Sequence, residues 1–184
     1  MRSYTGSKLP QNKAKASFHT PHNKFNFSGG NKLSVEEKLK ELGIELPETP
    51  KPVAAYVPAV LVDSYVYSAG QIPFIKGELK YKGKLGKDLT IEEGYEAAKI
   101  CALNALAAIK SVIGSLDKIE RIVKVTGYVQ SADNFFDQPK VLNGASELLG
   151  KIFGENGKHA RSAVGTNILP INAPVEVEII AKIK

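Results

Sequence analysis

The amino-acid sequence predicts an α+β fold in a single domain, a mixed β-sheet with two main helices on one face. Three observations carry this. The candidate elements run hairpin, helix, strand, helix, strand, strand. Two capping boxes mark helix starts. The last strand alternates cleanly: Val175, Val177, Ile179, Ala181 and Ile183 share one side, and Glu176, Glu178, Ile180 and Lys182 share the other. No internal repeat and no second domain are evident along the 184 residues.

Order is expected to begin at Ser34. Ser34-Val35-Glu36-Glu37 fits a capping box, and a short helix should follow to about Leu42, stopped by Gly43. Pro47, Pro50 and Pro52 then make an extended connector. Residues 56–69 are rich in Val, Tyr and Ala with Asp63-Ser64 in the middle, which reads as two strands and a turn. Residues 70–86 are broken by Gly and Lys and read as a loop with short strand pieces.

Thr90-Ile91-Glu92-Glu93 is the second capping box, opening a helix to about Ile113 that ends at Gly114. Its second half, residues 100–109, is apolar nearly all round, so cover by the sheet and by another subunit is expected. Residues 121–130 are dense in β-branched side chains and form a strand. Residues 136–153 form a second helix, with Pro139 tolerated near its first turn. Residues 161–166 and 175–183 are the last two strands, with Leu169-Pro170 leading between them.

Composition bounds the function. Hydrophobic residues make up 43% of the chain, a globular value. No apolar run approaches the roughly 20 residues that cross a bilayer. The lone Cys101 sits in an apolar run and is expected to be a buried, inert thiol. One cysteine and three scattered histidines, His19, His22 and His159, argue against a structural zinc site.

The net charge of +6 is concentrated at one end. Arg2, Lys8, Lys13, Lys15, Lys24 and Lys32 fall within residues 1–35, which hold no Asp or Glu. The body therefore has as many acidic as basic residues, and a nucleic-acid partner is not expected for it.

Residues 1–33 are polar and show no apolar periodicity, and are read as a disordered basic extension ahead of a domain at 34–184. Plentiful Ser and Lys without acidic residues fit an organellar transit peptide, whereas a single Arg and the lack of an amphipathic face do not. A natural tail and a start codon assigned too far upstream are the other readings. The expected location is the cytoplasm, or an organelle matrix if the extension is a transit peptide.

The chain has no phosphate loop, GxGxxG, GxSxG or HExxH signature. His159 is read as a surface or capping residue. The informative stretch is Arg161-Ser162-Ala163-Val164-Gly165, then Leu169-Pro170, then Val175-Glu176-Val177-Glu178-Ile179. With Tyr56-Val57 and Ser68-Ala69-Gly70-Gln71-Ile72-Pro73, it resembles the YjgF/RidA family over about residues 50–184. The N-terminal helix and the extra Ala69 point to a divergent branch.

The resemblance implies a chorismate-mutase-like barrel assembled as a homotrimer, with clefts between subunits. Its implied activity is hydrolysis of amino-acid-derived enamines and imines to 2-keto acids and ammonia, without metal or organic cofactor. Arg161 matches the arginine that pairs with the substrate carboxylate, a role suited to a planar guanidinium. Glu176 matches the glutamate that activates water. Tyr56 and Asn143 match cleft-lining residues, and Gly70 would lend backbone groups to the rim. The partner is thus a small carboxylate-bearing metabolite, with no membrane partner.

The sequence departs from the pattern at Ala163, where the family often has Cys. That favours a non-catalytic carboxylate-binding module as the alternative; RNA-directed activity, attached to some members of the family, is a third reading, and the neutral body counts against it. Each residue also has a structural reading. Arg161 pairs with Glu176 or Glu178, Glu176 is solvated strand surface, Tyr56 is core, Asn143 lies on a helix surface, and Gly70 serves a turn.

Overall fold

The structure is a computed structural model that describes residues 33–48 and 56–184. The expectations for the basic extension up to residue 32, and for Pro50 and Pro52, lie outside the described residues.

Both capping boxes form. Ser34 Oγ accepts from Glu37 N at 3.1 Å and Glu37 Oε2 accepts from Ser34 N at 2.8 Å, which starts α1 (Val35–Glu41). Thr90 and Glu93 repeat the exchange at 3.2 and 2.9 Å and start α2 (Ile91–Ile113). Each exchange satisfies two amides that a helix start leaves without partners. Buried Leu39 fastens α1 to the body, and Glu36 reaches Lys110 of α2 at 2.8 Å.

The chain then makes β1 (Ala59–Val62) and β2 (Tyr65–Ser68), turning at Asp63 with φ +51°. A two-residue pair, β3 (Phe74–Ile75) and β4 (Glu78–Leu79), occupies the loop before α2. After α2 come β5 (Ile119–Gln130), α3 (Gln138–Phe153), β6 (Ala160–Thr166) and β7 (Val175–Ile183). β5 starts two residues earlier than the sequence predicts. α3 starts two residues later, so Phe136 lies outside the helix and Pro139 sits in its first turn.

The main sheet has the order β1-β2-β7-β5-β6. All neighbours are antiparallel except β5 and β6. A parallel pair needs a crossover, and α3 supplies it. Val175, Val177, Ile179 and Ala181 are fully buried under α2, as their alternation predicts.

Within the chain α2 is covered on more than one side, as its apolar run implies, with Ile100 and Leu103 left half-buried. The sheet covers one side of it and α3 another. The two helices approach so closely that a Cβ on Gly144 would overlap the carbonyl oxygen of Tyr95. Asn104, the polar break in the run, donates from Nδ2 to the carbonyls of Ile72 (2.9 Å) and Phe74 (3.1 Å) and so pins the loop over the helix. Among the described residues, no helix is long and apolar enough to cross a membrane.

The opposite face of the sheet is bare. Val60, Val62, Tyr65, Tyr67 and Val164 are exposed large apolar side chains. By register they share this face with Lys124, Thr126, Tyr128, Glu176 and Glu178.

Candidate functional site

The candidate residues gather in two places. The first is built around Glu176. At Ser68 the chain leaves β2, and the Ser68 hydroxyl accepts from Ile179 N at 2.9 Å in place of the strand backbone. It returns at Gln71, which exchanges two backbone hydrogen bonds with Val177, at 3.0 and 2.9 Å. Gly70 is thereby pressed onto Glu176, and a Cβ at Gly70 would overlap Oε1 of that carboxylate. Gly70 serves close approach rather than a left-handed turn.

Glu176 is half-buried. Burial first, and the charge of Glu178 second, raise its carboxyl above the ordinary value of 4.5. Tyr128 pairs with Glu176 in the ladder, and the Glu178 charge, then burial, then Glu176 raise its phenol. Tyr56 is 60% exposed, so it is not core. It lies two residues ahead of Pro58, whose carbonyl accepts from Ala69 N at 2.8 Å, so the chain ahead of β1 runs past the segment that holds Gly70.

The second place is built around Arg161, on the edge strand β6. Its Nη1 donates to Asn143 Oδ1 at 3.0 Å and to Ser146 Oγ at 3.1 Å. Asn143 and Ser146 are three apart on α3 and so present one face. Among the described residues no carboxylate forms an ion pair with Arg161, which disposes of the cross-strand pair with Glu176 or Glu178. Both Nη1 protons are used, and Nε–H with the Nη2 protons remains as a fork of the spacing a carboxylate needs.

Ser146 in turn meets His159, with Oγ 3.0 Å from Nε2, and His159 Nδ1 lies 2.6 Å from the Gly157 carbonyl oxygen. Ala163, on the same side of β6, packs against the core.

Within one chain the two places do not meet. Arg161 pairs with Val125 and so faces α3, whereas Glu176 faces the bare side of the sheet. Two strand spacings and three residues separate them, about 14 Å of backbone by ordinary sheet dimensions. Among the described residues, no three His, Cys, Asp or Glu side chains converge as metal ligands do.

The YjgF/chorismate mutase-like family model, described as "putative endoribonuclease", matches residues 36–183. The chain belongs to the YjgF family. Protein TCP17 of Trypanosoma cruzi is 39% identical over 150 residues, covering 81% of this chain and 94% of that protein. The solved structure of Agrobacterium tumefaciens Atu1372 superposes with a TM-score of 0.76 at 41% identity, covering 82% of this chain and 92% of the other. A Shewanella oneidensis protein of the same endoribonuclease description gives 0.79 at 36% identity, covering 82% of this chain and all of its own.

Sequence reasoning about this YjgF member picked out Arg161, Asn143, Glu176, Gly70 and Tyr56. It missed Ser146 and Tyr128 and gave His159 only a capping role. The spacing of Ser146 from Asn143 was a usable signal; nothing local linked Ser146 to His159.

Proposed function

We propose that the chain hydrolyses amino-acid-derived enamines and imines to 2-keto acids and ammonia, in clefts between the subunits of a homotrimer. The observation that carries this reading is Arg161: a half-buried guanidinium, held by the neutral oxygens of Asn143 and Ser146, whose outer fork meets no partner among the described residues. A buried-edge cation without a counter-ion is a carboxylate receptor.

In the mechanism, Arg161 grips the substrate carboxylate and the enamine tautomerises to the imine. Glu176 takes a proton from water as the oxygen attacks the imine carbon, giving a carbinolamine. That proton goes to the imine nitrogen to complete the carbinolamine, Glu176 then carries the hydroxyl proton to the amine, the C–N bond breaks, ammonia leaves and the ketone forms. Gly70 supplies the room that holds the Glu176 carboxylate against the backbone. Tyr56, on the chain that runs past the Gly70 segment, would line the same wall.

Two features of the single chain support the trimer. The bare sheet face carries exposed apolar side chains such as Val62 (52% exposed) and Tyr67 (39%), which water disfavours and a partner would cover. The two half-sites, Tyr56 with Gly70 and Glu176 and Arg161 with Asn143, face different ways and serve one substrate only if neighbouring subunits join them. Light scattering at micromolar concentration should give three times the chain mass, and a stable monomer would remove this basis.

The decisive experiment measures ammonia and 2-keto acid released from enamines generated in situ from several amino acids. Wild type should release both, and Arg161→Ala and Glu176→Gln neither. Ala163 favours a second reading, a carboxylate-binding module without turnover, because the family's frequent Cys is missing from that wall. Binding of 2-keto acids with no ammonia release would select it. RNA cleavage unaffected by Arg161→Ala would overturn both.

A further inference from the structure

The bonds behind Arg161 run in one direction. A carbonyl oxygen only accepts, so the 2.6 Å contact with Gly157 O requires a proton on His159 Nδ1. In the neutral ring Nε2 is then bare and accepts the Ser146 hydroxyl proton across 3.0 Å. That turns the Ser146 oxygen lone pairs outward, where one accepts from Arg161 Nη1 at 3.1 Å. We propose that His159 and Ser146 are positioning residues for Arg161, a polarised relay that orients the guanidinium so that its Nε and Nη2 edge faces an anionic ligand. The proposal rests on the carboxylate-site reading of Arg161.

The surroundings of His159 keep the relay in this state at neutral pH. From α3 the uncharged Ser146 hydroxyl meets the ring. Arg161 lies two residues further on, in β6. A cavity of about 530 Å³ beside the ring is lined by Tyr65 of β2, Arg121 of β5, Lys158 and Lys182 of β7. Lys182 is neutralised by Glu120 at 2.6 Å and Lys158 pairs with exposed Glu155 at 2.8 Å. Burial lowers the ring's affinity for a second proton below the ordinary 6.5, the Gly157 carbonyl opposes this, and Arg161 adds to it.

Protonation would invert the relay. His159 Nε2–H would become a donor to Ser146 Oγ, the hydroxyl proton would have to leave that line, and two cations would compete for one oxygen. The Arg161 fork would lose its fixed orientation. Carboxylate affinity should therefore fall as pH drops through the His159 titration, from below 6.5 downward.

The test uses the full chain and two readouts. The first needs no ligand: the Arg161 Nε–H resonance is followed by NMR from pH 8 to 5 alongside the His159 ring signals. In wild type it should follow the His159 titration curve, and in Ser146→Ala it should not. The second is calorimetric binding of 2-ketobutyrate over the same range. Wild type should bind more weakly as His159 charges. Ser146→Ala should bind about tenfold more weakly at pH 8, the scale of one charge-assisted hydrogen bond, and without that pH dependence. Ser146→Thr, which keeps the hydroxyl, should restore both. His159→Gln, which can accept but not titrate, should keep most of the affinity and lose the pH dependence.

An Arg161 signal indifferent to His159 protonation overturns the relay, as does a Ser146→Ala protein that binds and titrates like wild type. Arg161→Ala separates the two ideas. If it abolishes binding while Ser146→Ala does nothing, only the relay fails. If it binds like wild type, the carboxylate site fails and the relay with it.

Discussion

Gly70 and Glu176 interlock: the carboxylate occupies the space that a side chain at Gly70 would fill. The Gln71–Val177 backbone pair holds the Gly70 segment in place, so the close contact is set by the sheet and not by a mobile loop. In its proposed role as base, a carboxylate held against backbone in this way is pre-positioned, which is worth more to a reaction than to stability.

Gly70→Ala should therefore cost activity and little else. The added methyl forces the Glu176 carboxylate to swing away, and a displacement of about 1 Å can cost about 100-fold in rate. Glu176 is only half-buried and has room to move, so the stability change should stay within about 1 kcal/mol. Turnover and the denaturant midpoint of the same sample check both. Unchanged turnover would show that the carboxylate position is not used.

The raised Glu176 carboxyl predicts the acid limb of activity. The base works deprotonated, so turnover should rise with pH through a midpoint above 4.5. Stability has the opposite sign. A raised folded-state value contributes stability that is fully present below 4.5 and is lost as pH rises through the folded value. Glu176→Gln should remove the limb and the turnover while retaining ligand binding. A pH–rate profile of wild type and variant decides it.

Replacing Arg161 separates charge from geometry. Arg161→Ala should lose about 2–5 kcal/mol of 2-keto acid binding if the pair is desolvated. Arg161→Lys should also be impaired, because a point charge cannot reproduce a two-pronged grip while also holding Asn143 and Ser146. Calorimetry on both variants, with thermal melts, provides the check. Full binding with a much lower melting temperature would make Arg161 a structural residue.

Gly144→Ala should destabilise the fold. The new Cβ meets the Tyr95 carbonyl oxygen, which is backbone and cannot rotate aside, so α3 must back away from α2. Overpacking of this kind costs about 1–3 kcal/mol. Chemical denaturation measures it directly, and an unchanged midpoint would mean the helix pair yields easily.

The sequence by itself determined the elements and their faces. Ser34 and Thr90 started helices where their capping boxes said, because a cap is a contact three residues long. The alternation of residues 175–183 placed Val177 inward and Glu176 outward, because side-chain direction along a strand is a local property. What only the tertiary structure decided was which outward or inward residues meet. Arg161 faces α3 and Glu176 the bare sheet because β5 lies between their strands and sets both registers, with Val125 opposite Arg161 and Tyr128 opposite Glu176. A shift of one residue there would have put them on the same side. The cover over the apolar run of α2 depends likewise on Gly144 letting α3 approach, and the Ser146–His159 contact on where the middle of α3 and the start of β6 come to rest. These are distances between segments far apart in the chain, and local pattern carries no information about them.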